Sequence, residues 1–173
     1  MNLRKHHEGL SLLEVVIGWM LLSFLFLFFG TIFFRYIKEF QKLEDDIEIQ
    51  YQVEEALDRW THLTYEMQKI TRIENEKKEN ILYKTGTYQV KKIIFDQNLI
   101  FEHHPESNRF FYGHKLSYGN ILCAEHIESI LITPLPKEST FAQCKGIKIS
   151  IQGKKNKASI WIDTEFYFRL LEE

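Results

Sequence analysis

Residues 9–34 read GLSLLEVVIGWMLLSFLFLFFGTIFF. From Val15 to Phe34 the run carries no charged side chain and is crowded with Leu, Phe, Ile and Val. About 20 such residues in a helix span the roughly 30 Å hydrocarbon core of a bilayer, so a membrane helix is expected. Arg4 and Lys5 sit on the short arm before it. By the positive-inside rule that arm stays cytoplasmic and everything after Arg35 is exported. A secretory signal has a shorter apolar core ending in a small-residue cleavage site, and none follows Phe34, so the helix is expected to be retained.

One residue disturbs this reading. Glu14 is a carboxylate at the head of the apolar run, where an unpaired charge costs about 2.5–3.5 kcal/mol on insertion scales. Near the start of a helix such a side chain can snorkel to the headgroups. It can also find a cation within a bundle of helices, and then it fixes the stagger between neighbours.

The rest of the chain bounds the alternatives. Its 173 residues allow one membrane segment and one modest domain. Twenty-two basic against 24 acidic residues leave a net charge of -2, with no strongly basic face that would call for nucleic acid. Cys123 and Cys144 are the two cysteines and form no CxxC pair. Zinc or thioredoxin chemistry is therefore not indicated, while export would leave a Cys123–Cys144 disulfide open.

Beyond Arg35, apolar residues recur at spacings of three and four: Tyr36, Phe40, Leu43, Ile47, then Val53, Leu57, Trp60, Leu63, Met67, Ile70 and Ile73. With no Pro or Gly between Tyr36 and Ile73, this predicts an amphipathic helix that continues the apolar one. The acidic patch Glu44, Asp45, Asp46 and Glu48 weakens the stripe and allows a bend there. After the solvated stretch 74–80 the pattern turns to strands: 81–83, 88–95, 99–102, 109–116, 127–133, 146–151 and 158–170. Asp96-Gln97-Asn98 predicts a hairpin turn, and Gly153-Lys154-Lys155-Asn156-Lys157 a second. The fold class is α+β, a long N-terminal helix whose second half covers an antiparallel β-sheet. The segments are 1–9, a leader; 10–35, the membrane helix; 36–79, the amphipathic helix and connection; and 80–173, the exported sheet domain.

Gly9-Leu10-Ser11-Leu12-Leu13-Glu14, behind the basic Arg4 and Lys5, resembles the processing site of type IV prepilins and the pseudopilins of type II secretion. The resemblance implies a pilin-like lollipop fold and cleavage between Gly9 and Leu10 by a membrane prepilin peptidase. It further implies N-methylation of Leu10, and assembly through Glu14 meeting the new amine of a neighbouring subunit. Implied partners are the peptidase, other major and minor pilin or pseudopilin subunits, and indirectly an assembly platform protein and its ATPase. The implied location is the bacterial inner membrane, single-pass with the N-terminus cytoplasmic, and then the pilus or pseudopilus. Leu10 stands where Phe is more usual, and the helix lacks the Pro of many major pilins. Glu14 argues against the tip subunit that characteristically lacks it. The C-terminal region offers no acidic, Gly-rich loop like the calcium loop of major pseudopilins. A minor subunit is therefore implied, similar to the J-type pseudopilin or a related minor pilin such as one of the Gram-positive competence pilus.

No enzyme is expected. Glu102, His103, His104, His114 and His126 show no HExxH-like spacing. Ser117, Ser129 and Ser139 lack a nucleophile elbow, and no phosphate loop is present. No cofactor or metal is indicated, and Phe110, Phe111, Tyr112 and Tyr118 read as core aromatics. The alternative to a filament subunit is an uncleaved signal-anchored scaffold of the envelope, which keeps residues 1–9.

Overall fold

The computed structural model describes residues 12–114 and 118–169. Its helix α1 (Leu12–Thr64) contributes its residues up to Lys42 to one compact unit and those from Leu43 onward to a second. In the first unit the helix exposes apolar side chains on every side, among them Trp19, Phe26 and Phe34. Such a surface suits lipid or other helices and not water. Its hydroxyls bond back to the helix, Ser23 Oγ to the Trp19 carbonyl at 2.8 Å and Thr31 Oγ1 to the Phe28 carbonyl at 2.7 Å. Neither therefore presents an unmet donor to an apolar surrounding.

The second unit is α+β, as expected. The strands are β1 (Ile70–Asn75), β2 (Tyr88–Phe95), β3 (Leu99–His104), β4 (Arg109–His114), β5 (Ile121–Ala124), β6 (Ile127–Leu135), β7 (Gly146–Lys155) and β8 (Ala158–Tyr167). They pair antiparallel in the order β5-β4-β3-β2-β6-β7-β8, with β1 also on β2. Ile49, Val53, Ala56, Leu57, Trp60 and Thr64 form the buried row of α1. Trp60 is the anchor of this contact, its ring 4.2 Å from that of Phe101 and 5.6 Å from that of Phe95. Gly153 lets β7 approach the helix, because a Cβ there would run into Ile49 and Val53.

Several expectations change. The amphipathic helix ends at Thr64 rather than near Ile73, and 70–75 is a strand. The misreading has a physical cause. The β1–β2 register shifts between Ile70 and Arg72, and such a bulge puts residues three apart on one face, as in a helix. Ile70 and Ile73 are accordingly both buried. The Asp96 carboxylate accepts from the Gln68 N–H at 3.2 Å, tying the chain just after the helix end to the β2–β3 turn. No loop interrupts α1 at the acidic patch, where the helix assignment is continuous.

Residues 81–83 are not a strand. Ile81 donates its N–H to the Ile73 carbonyl, and Leu82 accepts from the Ala142 N–H, in an irregular segment that buries both side chains. The turn between β2 and β3 lies at Asp96–Asn98, as expected, whereas the turn expected over 153–157 narrows to Asn156 and Lys157, with Gly153 inside β7. Strand β5 has no counterpart in the sequence reading. The Cys123–Cys144 disulfide is not formed: both thiols are free. Cys123 lies in β5 at one end of the strand order and Cys144 just before β7, with β4, β3, β2 and β6 between.

Candidate functional site

The processing and methylation positions Gly9 and Leu10 lie outside the described residues. Glu14 is described. It stands exposed in the first turn of α1, the end of a helix where backbone N–H groups and the macrodipole favour an anion. Below it α1 is long and apolar enough to cross a membrane, and none of the apolar window is buried among the described residues.

The apolar stripe of the amphipathic segment divides into two. Leu43, Ile47 and Tyr51 are 55%, 60% and 61% exposed, while Ile49, Val53, Ala56, Leu57 and Trp60 are buried on the sheet. At 3.6 residues per turn the exposed row lies roughly 140° around the helix from the buried one. Tyr36 and Phe40, also exposed, fall on the exposed row by spacing. Sequence periodicity merged these rows because each has three- and four-residue steps. The helix thus has one apolar face occupied by the sheet and another that none of the described residues covers.

The acidic patch meets the tip of the β7–β8 hairpin. Lys155 Nζ lies 2.6 Å from Glu48 and 3.2 Å from Asp45, and Asn156 Nδ2 donates to Asp45 at 2.8 Å. His126 Nε2 is 3.3 Å from Glu48. The Asn156 amide, with Lys155, holds the Asp45 carboxyl below its ordinary range, and Lys155 does the same for Glu48. These carboxylates therefore dock the hairpin on the helix.

The other candidates are dispersed. His103 is buried, its Nε2 donating to the Ile127 carbonyl at 2.8 Å, and burial depresses its pKa against the opposing pull of that bond. His104 lies tilted against the ring of Phe111 and 3.6 Å from Glu102, which accepts from the Gly119 N–H. His114 lines an open cleft of about 570 Å³ with Asp58, His62, Tyr65, Glu66 and Gln97. Among the described residues no three His, Cys, Asp or Glu side chains are grouped to hold a metal ion. Ser129 bonds Gln152 and Ser139 the Pro136 carbonyl, and Ser117 lies outside the described residues. Phe110 stacks in the core with Phe101, Phe111 and Tyr112 are half-buried, and Tyr118 is exposed.

Burial pushes the Cys123 thiol up to about 12 and raises that of Cys144. Neither is poised as a nucleophile.

No family model, no curated protein and no solved structure matches the chain. What stands is a pilin-like arrangement, one long apolar N-terminal helix followed by an antiparallel sheet.

Proposed function

We propose that the chain is a non-enzymatic pilin-like subunit of the minor pilin or pseudopilin kind. In this reading it is cut after Gly9 by a prepilin peptidase, N-methylated at Leu10, and built into a short filament from the inner membrane. The observation that carries the reading is the string Gly9-Leu10-Ser11-Leu12-Leu13-Glu14 set directly ahead of a helix with apolar side chains on all sides. Cleavage creates a cationic amine at Leu10. A neighbouring Glu14 pairs with it when two helices are staggered by the few residues that separate the two positions, and such a pair is favourable in a dry bundle only when both charges are met. The exposed row Leu43, Ile47 and Tyr51 supports the same reading, since helices packing along α1 would remove it from water. As a minor subunit it acts in the initiation or tip complex, contacting other pilin-like subunits and, through them, the platform protein and ATPase.

The test is the N-terminal mass of the full chain recovered from membranes of cells with and without a prepilin peptidase. A chain beginning at methylated Leu10 only when the peptidase is present is the expected result. An intact N-terminus in both refutes the reading in favour of an uncleaved signal anchor.

A further inference from the structure

Among the described residues, two buried side-chain atoms of the core make no hydrogen bond: Trp60 Nε1 and His103 Nδ1. Buried donors and acceptors are nearly always met, by protein or by bound water, so such a pair calls for a cause. Phe at 60 and Leu at 103 would fill a core with no polar atom to satisfy.

The two atoms are complementary. The indole N–H only donates. On His103, Nε2 donates to the Ile127 carbonyl at 2.8 Å, so in the neutral ring Nδ1 carries no proton and accepts. Burial favours that neutral ring, against the pull of the bond to Ile127.

Both side chains line one cavity, together with Phe101, Phe110, Val90 and Ile130, and all six are 2% exposed or less. Its position follows from the sheet. Strand β2 pairs with β3 through Lys92, Ile93 and Ile94 and with β6 through Tyr88 and Gln89. The cavity lies beside Val90 and Lys91, the stretch between. His103 spans the same junction, a β3 side chain bonded to a β6 carbonyl. The cavity measures about 10 Å³, about the least that admits one water molecule, and nothing larger fits.

We infer that this cavity is a binding site for a single structural water, which accepts from the Trp60 Nε1–H and donates to His103 Nδ1. Its remaining O–H can take the second lone pair of a main-chain carbonyl in the lining, which gives the roughly three contacts usual for buried water. Complementarity selects the occupant. Water meets a donor and an acceptor at once, whereas a cation would oppose the indole N–H and an anion the imidazole lone pair. The bridge joins α1 to β3 at the aromatic centre of their contact, so that Trp60 is held by direction as well as by fit. It involves only the sheet unit and does not depend on the filament reading.

The test is nuclear magnetic resonance of the full isotope-labelled chain in detergent micelles. Of the three tryptophans, Trp19 and Trp161 are exposed, so Trp19→Phe and Trp161→Phe assign the Trp60 indole without touching the core, and the water contacts are read on the parent chain. The Trp60 indole proton and at least one of the Val90 and Ile130 methyls are expected to show cross-peaks to water. These should have opposite signs in laboratory-frame and rotating-frame experiments, the mark of a water held in place rather than of proton exchange. In the histidine nitrogen spectrum at neutral pH, His103 should carry its proton on Nε2, with Nδ1 shifted in the direction of a hydrogen-bonded acceptor. Water contact at the indole alone or at the methyls alone, or an Nδ1–H tautomer, would overturn the inference. So would the absence of water contact at all of these groups, which would leave the Trp60 N–H to the ring of Phe95, 5.6 Å away at 74°.

Discussion

Gly153→Ala tests how closely helix and sheet are packed. A Cβ at this position would sit 2.6 Å from Val53 Cγ2 and closer still to Ile49 Cγ2. Both neighbours are β-branched residues of α1, whose χ1 is held in one rotamer within a helix, so neither swings aside. The hairpin must then move off the helix, and overpacking of this sort costs about 1–3 kcal/mol. Removing glycine from a strand interior returns a part of that, about 0.5–1 kcal/mol, which leaves a net loss of about 1–2 kcal/mol. For a folded unit of this size the thermal midpoint should fall by roughly 3–8 °C. The assay is near-ultraviolet circular dichroism of the full chain in micelles, for Gly153→Ala, Val53→Ala and the double variant. Emptying Val53 makes room for the new methyl, so the double variant should be more stable than the sum of the single losses predicts. A Gly153→Ala protein as stable as the parent, or strictly additive losses, would refute the close approach.

Other outcomes follow from the same residues. His103 has a depressed pKa in the fold, so below its ordinary value of 6.5 the unfolded chain binds more protons. Stability should therefore rise with pH through that region and fall as pH drops below it, and denaturant titrations of His103→Gln should show a flatter dependence. Lys155→Ala frees Asp45 and Glu48 from the hairpin tip, and hydrogen exchange should quicken over helix residues 44–49 without loss of the sheet's protection. With its thiol pushed up to about 12 and its side chain buried, Cys123 should resist alkylation at pH 8. Half-exposed Cys144 should be modified first, and both should react at equal rates in denaturant. Intact mass without reductant should show both thiols free, and a mass lower by two hydrogens would contradict the structure.

The sequence by itself determined the kind of molecule. An uncharged run from Val15 to Phe34 is a helix with no polar face, because nothing but a complete internal hydrogen-bond ladder suits such side chains. Alternation over 88–95 and 127–133, with Asp96-Gln97-Asn98 as a turn, made the sheet legible, since pleating separates successive residues onto two faces. Glu14 and the string before it are legible for the same reason: they are local chemistry. What only the tertiary structure decided is which surface each residue meets. Ile70 and Ile73 looked helical until a bulge in β1, against β2, gave their spacing of three a strand explanation. Leu43 and Ile47 looked continuous with Val53 and Trp60 until the sheet occupied one face and left the other open. Asp45 and Glu48 showed in sequence only as a weakening of the stripe, and their partners Lys155 and Asn156 lie more than a hundred residues away in the chain. The open edge of β8 likewise depends on strand order, which no local pattern encodes, because pairing across the sheet is set by long-range burial rather than by any neighbour in sequence.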